Sequence, residues 1–378
     1  MSLRLVEHRG YLEDTKRMAA FEAATRAVIG EGDSVLDLGA GTGILGLLAC
    51  RAGARRVYVV DQGPILEIAR RNYQANGYGD RAVFVRGHSA RIDLPERADV
   101  IIADQLGPFV SDAGLFQSFA DARTRLLKPD ARMIPRKIEF HLAPIECVEV
   151  AQRISFWQHR PAGFELGAVA EWAANDVHYV RVKAGAALAE PKAASEVDLR
   201  EPVPDLLTMK HSFEVSREGS FDGILGCFRA ELAEGIWLTN SPFAADCMDR
   251  HQVVLPLSQP VRVACGDTID MSVRVRPETD MMSWSVEVKA GNAVKARAAH
   301  STVNAALFSL EDVRRTNPDR VPSLNTRGEA RLLLLGRCRE GHTQRDIEQE
   351  ILSRYGSEFP TPGDAAAFVA SALAKDTK

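Results

Sequence analysis

Between residues 34 and 135, four short runs rich in β-branched side chains, SVLDLG, RVYVVD, AVFVRG and DVIIAD, alternate with stretches of helical period, ILGLLACRAG, PILEIARRNYQANG and LFQSFADARTRLL. Runs that are apolar throughout belong to strands covered on both faces, and strands separated by helices pair in parallel. The pattern predicts a doubly wound α/β domain. After Pro135 the texture changes. KIEFHLAPIE, HYVRVKA, HSFEVSR, GIWLTNSP, HQVVLPL, DTIDMSVRVRPE and SWSVEVKA are strand-like and separated by polar turns, which predicts an antiparallel sheet or barrel. The Ala- and Pro-rich stretch 184–205 reads as an excursion inside it, and from about residue 325 the period is helical again. The expected parts are an N-terminal helical segment (1–30), the α/β domain (31–135), the antiparallel domain (136–310) and a C-terminal helical module (325–378).

The first predicted strand ends in GAGTG (39–43), and Asp61 follows at the tip of the second, 22 positions after Gly39. Glycines at such a strand end let the backbone turn sharply and bring a ligand against main-chain N–H groups at the start of the next helix. An acid at the tip of the second strand can accept both hydroxyls of a ribose. Strand, turn, helix and acid in register point to a nucleotide-like cofactor. Gly39, Gly41 and Gly43 make G-x-G-x-G rather than the dinucleotide fingerprint G-x-G-x-x-G, which weighs against hydride transfer.

Composition narrows the partners. A formal charge of −4 and a pI near 6.2 provide no general attraction to nucleic acid or anionic lipid. The six cysteines lack a C-x-x-C pair, which argues against a metal site or a disulfide framework. The N-terminus is charged and without an apolar signal core, and no stretch approaches the roughly 18 apolar residues of a membrane span. A soluble protein of the reducing cytoplasm is expected, with no metal, nucleic acid or membrane partner.

VLDLGAGTG resembles the first motif of class I S-adenosylmethionine-dependent methyltransferases. GAGTGILGLLACRAGARRVYVVDQ, DVIIADQLG, the proline in MIPRKIEF, and GIWLTNSP resemble, in order, the protein arginine methyltransferases. The likeness covers roughly residues 8–310 and includes HRGYLEDTKRMAAF, where His8, Leu12, Asp14 and Arg17 fall at the family's spacings. It implies a doubly wound Rossmann-like methyltransferase domain, an antiparallel β-barrel-like domain and a C-terminal helical segment. It also implies S-adenosyl-L-methionine as cofactor and methyl transfer to a side-chain nitrogen of a peptide or protein. A small-molecule amine or guanidine as acceptor is the alternative, and so is a catalytically silent cofactor-binding scaffold. Carried over by position, Arg17 grips the methionyl carboxylate through two parallel hydrogen bonds. Asp61 holds the ribose, and Asp37, Gly39, Gly41, Gly43 and Gln62 complete that side of the site. Backbone groups around His88 and Ser89 contact the adenine, where Ala90 replaces the family's acid.

The pattern departs from the family at the acceptor. The family holds the protonated guanidinium with two glutamates on one loop, which here reads ADQLGPFVSDAGLF (103–116). Asp104 stands at the first acid position, one methylene shorter, and Ala113 stands at the second, with Asp112 one residue before it. Asp104 and Asp112 are the catalytic candidates. The family's Thr-His-Trp loop, which falls near CMDRHQVVLPL (247–257), is absent, leaving Asp249 or His251 as orienter or general base. The aromatic helix that covers the cofactor in the family would precede residue 1, so the expectation is a cover that is missing or is supplied by Tyr11 and its neighbours. FWQHRPAGFELGAVAEW (156–172) corresponds to the family's dimerisation arm, and its four aromatics predict a homodimer. Residues 331–375 are similar in pattern to the helical part of the small peptide-recognition protein of pyrroloquinoline quinone biosynthesis, with Thr343 as an expected helix cap.

Overall fold

The computed structural model describes residues 5–110, 114–306, 310–315 and 317–377. Residues 1–307 form one compact unit and 308–378 a second. In the first unit, α1 (Leu5–Glu13) and α2 (Thr15–Val28) precede β1 (Ser34–Leu38), α3 (Ile44–Ala52), β2 (Arg56–Asp61), α4 (Leu66–Ala75), β3 (Ala82–Arg86), β4 (Ala98–Ile102), α5 (Leu115–Arg125) and β5 (Leu127–Ile134). The five strands form a parallel sheet in the order β3-β2-β1-β4-β5. The chain winds outward from β1 to β3 and returns to the other side of β1 with β4. Strand order therefore reverses between β1 and β4, and the turns that leave these two strands open a crevice at their carboxyl ends.

Every residue of β1 is buried, as its unbroken apolar run predicts. Its polar residues are Ser34, at the start, and Asp37. Asp37 Oδ2 accepts the Gly46 N–H at 2.9 Å, bracing the first turn of α3 against the sheet. Gly46 owes its place to space rather than to backbone angle. A Cβ there would lie 2.1 Å from Tyr73 Oη, 2.8 Å from Asp37 Oδ2 and 2.9 Å from Val57 Cγ1.

The antiparallel part comprises β6 (Lys137–Ile145), α6 (Val148–Ser155), α7 (Val169–Ala174), β7 (His178–Val180), β8 (Lys192–Asp198), β9 (Leu207–Glu214), β10 (Gly219–Ala233), β11 (Ile236–Thr239), β12 (Gln252–Val263), β13 (Thr268–Arg276), β14 (Met281–Ala290), β15 (Ala293–Ser301) and α8 (Thr302–Ala305). One sheet runs β7-β12-β10-β6-β8, with β11 paired to β10, and the other runs β15-β14-β13-β9. Phe140, Phe228, Leu255, Val273 and Trp284 belong to the same hydrophobic core as the parallel sheet. The change at residue 135 is thus one of topology within a continuous core.

The excursion expected over 184–205 contains β8, which pairs with β6. The long central strand β10 carries no signal in the sequence reading. GSFDGILGCFRAELA is poor in β-branched residues because its neighbours come close: a Cβ on Gly226 would sit 2.9 Å from the Phe109 ring, and one on Gly223 would sit 2.7 Å from the Leu255 carbonyl oxygen.

In the second unit, α9 (Leu310–Arg315) precedes α10 (Thr326–Arg339), α11 (Gln344–Arg354) and α12 (Pro362–Asp376). Leu334, Ile351, Phe359 and Val369 make its core. Thr343 caps α11 in a reciprocal box with Asp346, and Thr361 caps α12 with Asp364 in the same way. No described helix is long and apolar enough to cross a membrane.

Because neither the Tyr73 ring nor the Asp37 carboxylate can retreat, Gly46→Ala is expected to destabilise the first unit by about 2 kcal/mol or more, at the upper part of the overpacking range. Urea denaturation followed by circular dichroism measures it, and a loss within 0.5 kcal/mol would show that the pocket around Gly46 is loose.

Candidate active site

The glycine turn leaves β1 with Gly39, Gly41 and Gly43 at φ of 73°, 55° and 82°, a left-handed region in which a side chain would be strained. Gly39 and Ala40 donate to the Val60 carbonyl at 2.9 and 3.0 Å, which ties the turn to the end of β2. Asp61 completes the cradle. Its Oδ2 accepts the Gly41 N–H at 3.0 Å and its Oδ1 the Gly63 N–H at 2.7 Å. A carboxylate has about four acceptor positions, so two bonds from the backbone orient Asp61 and leave capacity for two hydroxyls. Gln62 is exposed beside it. After β3, Gly87 donates to the Asp61 carbonyl, His88 Nδ1 accepts from Ala90 N–H, and the Ser89 carbonyl is taken by Arg125.

Asp37 does not line this cradle as expected. It lies wholly buried beneath the turn, where desolvation lifts its carboxyl to about 7, opposed by the Gly46 hydrogen bond and assisted by the nearby Asp61 charge.

Across the crevice, Asp104 and Gln105 follow β4. Asp104 is bound to the N-terminal helices: Arg17 Nε donates to its Oδ2 at 2.5 Å, and the two side chains are 5% and 6% exposed. Arg17 also donates from Nη1 to the Tyr11 carbonyl, and its backbone N–H bonds to Asp14, the cap of α2. The sequence reading assigns Arg17 to the cofactor and Asp104 to the acceptor. The fold instead joins them in one buried ion pair, so a ligand carboxylate must share Arg17 with Asp104. Asp112 lies outside the described residues.

Two further residues close over the glycine turn. A Cβ on Gly41 would sit 2.7 Å from His8 Cε1, and one on Gly39 would sit 2.8 Å from Gln105 Nε2. His8 Nε2, Gln105 Oε1 and Asp104 Oδ1 are buried without a hydrogen-bond partner. Buried polar atoms are ordinarily paired, so two unpartnered ones against the glycine turn, with a third on Asp104 across the crevice, mark a place built for polar groups of a ligand. The residues present thus suit a nucleoside joined to an amino-acid moiety. The one signal for Gln105 in the sequence is its place directly after Asp104.

The loop expected to supply Asp249 or His251 turns a different residue inward. Asp249 is exposed and paired with Arg181, and His251 is exposed. Arg250, between them, donates to the Leu106 carbonyl, and its Nη2 lies 3.7 Å from Asp104 Oδ2. Asn240 fixes the setting by donating to both the Pro108 and His251 carbonyls, while Gln252 donates to those of Asn240 and Arg250.

Residues 17–135 match the family described as ribosomal protein L11 methyltransferase, and residues 136–289 match the arginine methyltransferase oligomerization subdomain. Together these matches make the chain similar to class I methyltransferases and, among them, to the protein arginine methyltransferases. It is 34% identical over 171 residues to the probable histone-arginine methyltransferase CARM1 of Oryza sativa, a match covering 43% of this chain and 32% of that protein. It is 29% identical to the arginine N(omega)-methyltransferase of Streptomyces achromogenes, covering 69% of this chain and 74% of that one. In fold it is similar to PRMT1 of a Trypanosoma brucei enzyme-prozyme complex, with a TM-score of 0.71, 22% identity, and 78% and 97% of the two chains covered. The matched part spans about a third of the length of the plant histone-arginine methyltransferase relatives.

Asp37 has a folded-state pKa of about 7, raised above its unfolded value, so it favours folding in full below about pH 4 and that contribution is lost as pH rises to 7. Asp37→Asn holds no such proton. The stability difference between wild type and Asp37→Asn is therefore expected to move against the wild type across pH 4–7. Chemical denaturation at several pH values tests this, and a constant difference would mean that Asp37 is ionised in the fold.

Proposed function

We propose that the protein is an S-adenosylmethionine-dependent N-methyltransferase of the arginine methyltransferase type, acting on a side-chain nitrogen of a peptide or protein. The observation that carries this reading is the meeting, at the carboxyl ends of β1 and β4, of a glycine cradle with its oriented Asp61 and a buried Asp104 whose Oδ1 is unpartnered. When bound, the cofactor supplies an electrophilic sulfonium methyl group. Asp61 receives the ribose hydroxyls, the N–H groups of the glycine turn and Arg17 face the amino-acid end, and His8 and Gln105 cover the turn. Asp104 Oδ1 accepts an N–H of the acceptor, orients the nitrogen and takes up the proton that it sheds. Most of the rate comes from this positioning. Similarity over 74% of the length of an arginine N(omega)-methyltransferase favours, as second reading, a small guanidine or amine as acceptor.

A homodimer is part of the proposal. Phe156, Phe164, Leu166 and Trp172 are 51%, 69%, 37% and 40% exposed on the segment that follows β6. The oligomerization subdomain named for residues 136–289 supports the same reading. We place the protein in a reducing compartment, consistent with the six unpaired cysteines.

Asp61→Ala should weaken S-adenosylhomocysteine binding at least tenfold by calorimetry, through loss of charge-assisted hydrogen bonds. Unchanged affinity removes Asp61 from the site. Asp104→Asn should lower turnover about a hundredfold, the scale of a positioned acid or base, while cofactor affinity holds or rises as Arg17 is released to the ligand carboxylate. A near-normal rate moves the chemistry elsewhere, and Asp112→Asn measured alongside reads out the second acid. Methyl transfer from labelled cofactor to a cell extract sorts the acceptors: label in peptides supports the leading reading, label in small molecules the second. Sedimentation showing monomers only at micromolar concentration would overturn the dimer.

A further inference from the structure

Arg250 does not belong to the cofactor cradle, yet its guanidinium is the group nearest the acid loop from the antiparallel side. Three features receive it: the Leu106 carbonyl, which accepts from Nη1; the Asp104 carboxylate, 3.7 Å from Nη2; and the Tyr11 ring, whose centroid is 5.9 Å from Cζ. A carboxylate, a carbonyl and an aromatic face together form a complete seat for a guanidinium cation.

The charges around the seat show that Arg250 is a removable occupant. Asp104 carries one negative charge, and Arg17 already neutralises it at 2.5 Å. Arg250 is the second cation on the same oxygen, so its departure leaves Asp104 paired. Its side chain is 14% exposed, against 5% for Arg17. It also borders a pocket of about 460 Å³, between the α1–α2 junction and the loop before β12, whose walls include Glu13, Asp14 and Asp249. A guanidinium leaving Asp104 therefore turns into a pocket lined by three carboxylates and by the cations Lys16 and Arg181, the second of which already pairs with Asp249. The backbone of Arg250 stays fixed, because Gln252 holds its carbonyl at 2.8 Å.

We infer that Arg250 is a specificity-determining residue that occupies the acceptor's guanidinium seat, so that an acceptor enters through the adjoining pocket by displacing this side chain. The inference rests on the proposed acceptor chemistry, and it explains how a loop with one described acid handles a cation. Arg17 keeps Asp104 folded in, and Arg250 holds the seat until a competing guanidinium arrives. Selectivity follows, since only a guanidine that gains further contacts in the pocket outcompetes a tethered arginine at high effective concentration.

The test is calorimetric titration of agmatine, a guanidine without a carboxylate, into wild type, Arg250→Gln, Arg250→Lys and Arg9→Gln, each with and without S-adenosylhomocysteine. Glutamine can still bond the Leu106 carbonyl, and thermal melts check that each variant is folded. Arg250→Gln should bind agmatine at least fivefold more tightly than wild type, with Arg250→Lys between them. Arg9→Gln, which removes an exposed positive charge near the same pocket, should stay within twofold. Equal, weaker or undetectable binding by Arg250→Gln would overturn the inference and assign Arg250 to an anionic group of the acceptor. An equal gain in Arg9→Gln would overturn it too, as an effect of net charge. Wild type that binds no S-adenosylhomocysteine would instead sink the proposed function, while the cofactor-free titrations still decide the seat.

Discussion

The buried ion pair between Arg17 and Asp104 holds the candidate site together. It joins residues 87 positions apart and fastens the N-terminal helices to the turn that leaves β4. Removing one partner of such a pair leaves an uncompensated buried charge, at a cost of about 3–5 kcal/mol. Most of the site's cover depends on this attachment. Asp14 caps the helix that carries Arg17 and also accepts the Asp249 N–H, so one acid fixes both α2 and the loop before β12. His8 and Tyr11, on the preceding helix, are thereby carried over the glycine turn and the acid loop.

The second determinant is topological. A chain that winds from β1 to β3 and then returns to β4 leaves a crevice beside β1, because the connections on its two sides go opposite ways. The glycine turn and Asp61 lie on one side of that crevice, with Asp104 and Gln105 on the other. The antiparallel part closes it from above through buried polar groups as well as through the apolar contact of Phe109 with Phe140 and Gly226. Asn240 reaches the Pro108 and His251 carbonyls, and Gln252 spans Asn240, Arg250 and Val182. A network of this kind, with its donors and acceptors paired, gives the loops one arrangement.

Much of this was legible from the chain. The strands β1 to β4, their crossovers, the glycine turn, Asp61 and the cap at Thr343 all announce themselves through local pattern, because strands, sharp turns and helix caps each demand particular residue types in place. The strands β5, β8 and β10 did not, because their residues answer to neighbours distant in sequence. Gly226 is a glycine on account of Phe109, and Gly223 on account of the Leu255 carbonyl. Asp37 was misread for a similar reason: the motif marks it beside a ligand turn, while its carboxylate points down to Gly46.

By itself the sequence determined the fold class, the glycine cradle and the acid at the tip of β2, since these rest on backbone geometry and hydrophobic period within about 30 consecutive residues. Tertiary structure alone decided which charges meet. Arg17, Asp104 and Arg250 lie in three separate segments, and nothing local to any one of them names the other two as its partners. Their pairing follows from the fold, because burying a carboxylate at the end of β4 requires cations, and α2 and the loop before β12 bring these two arginines within 4 Å of it.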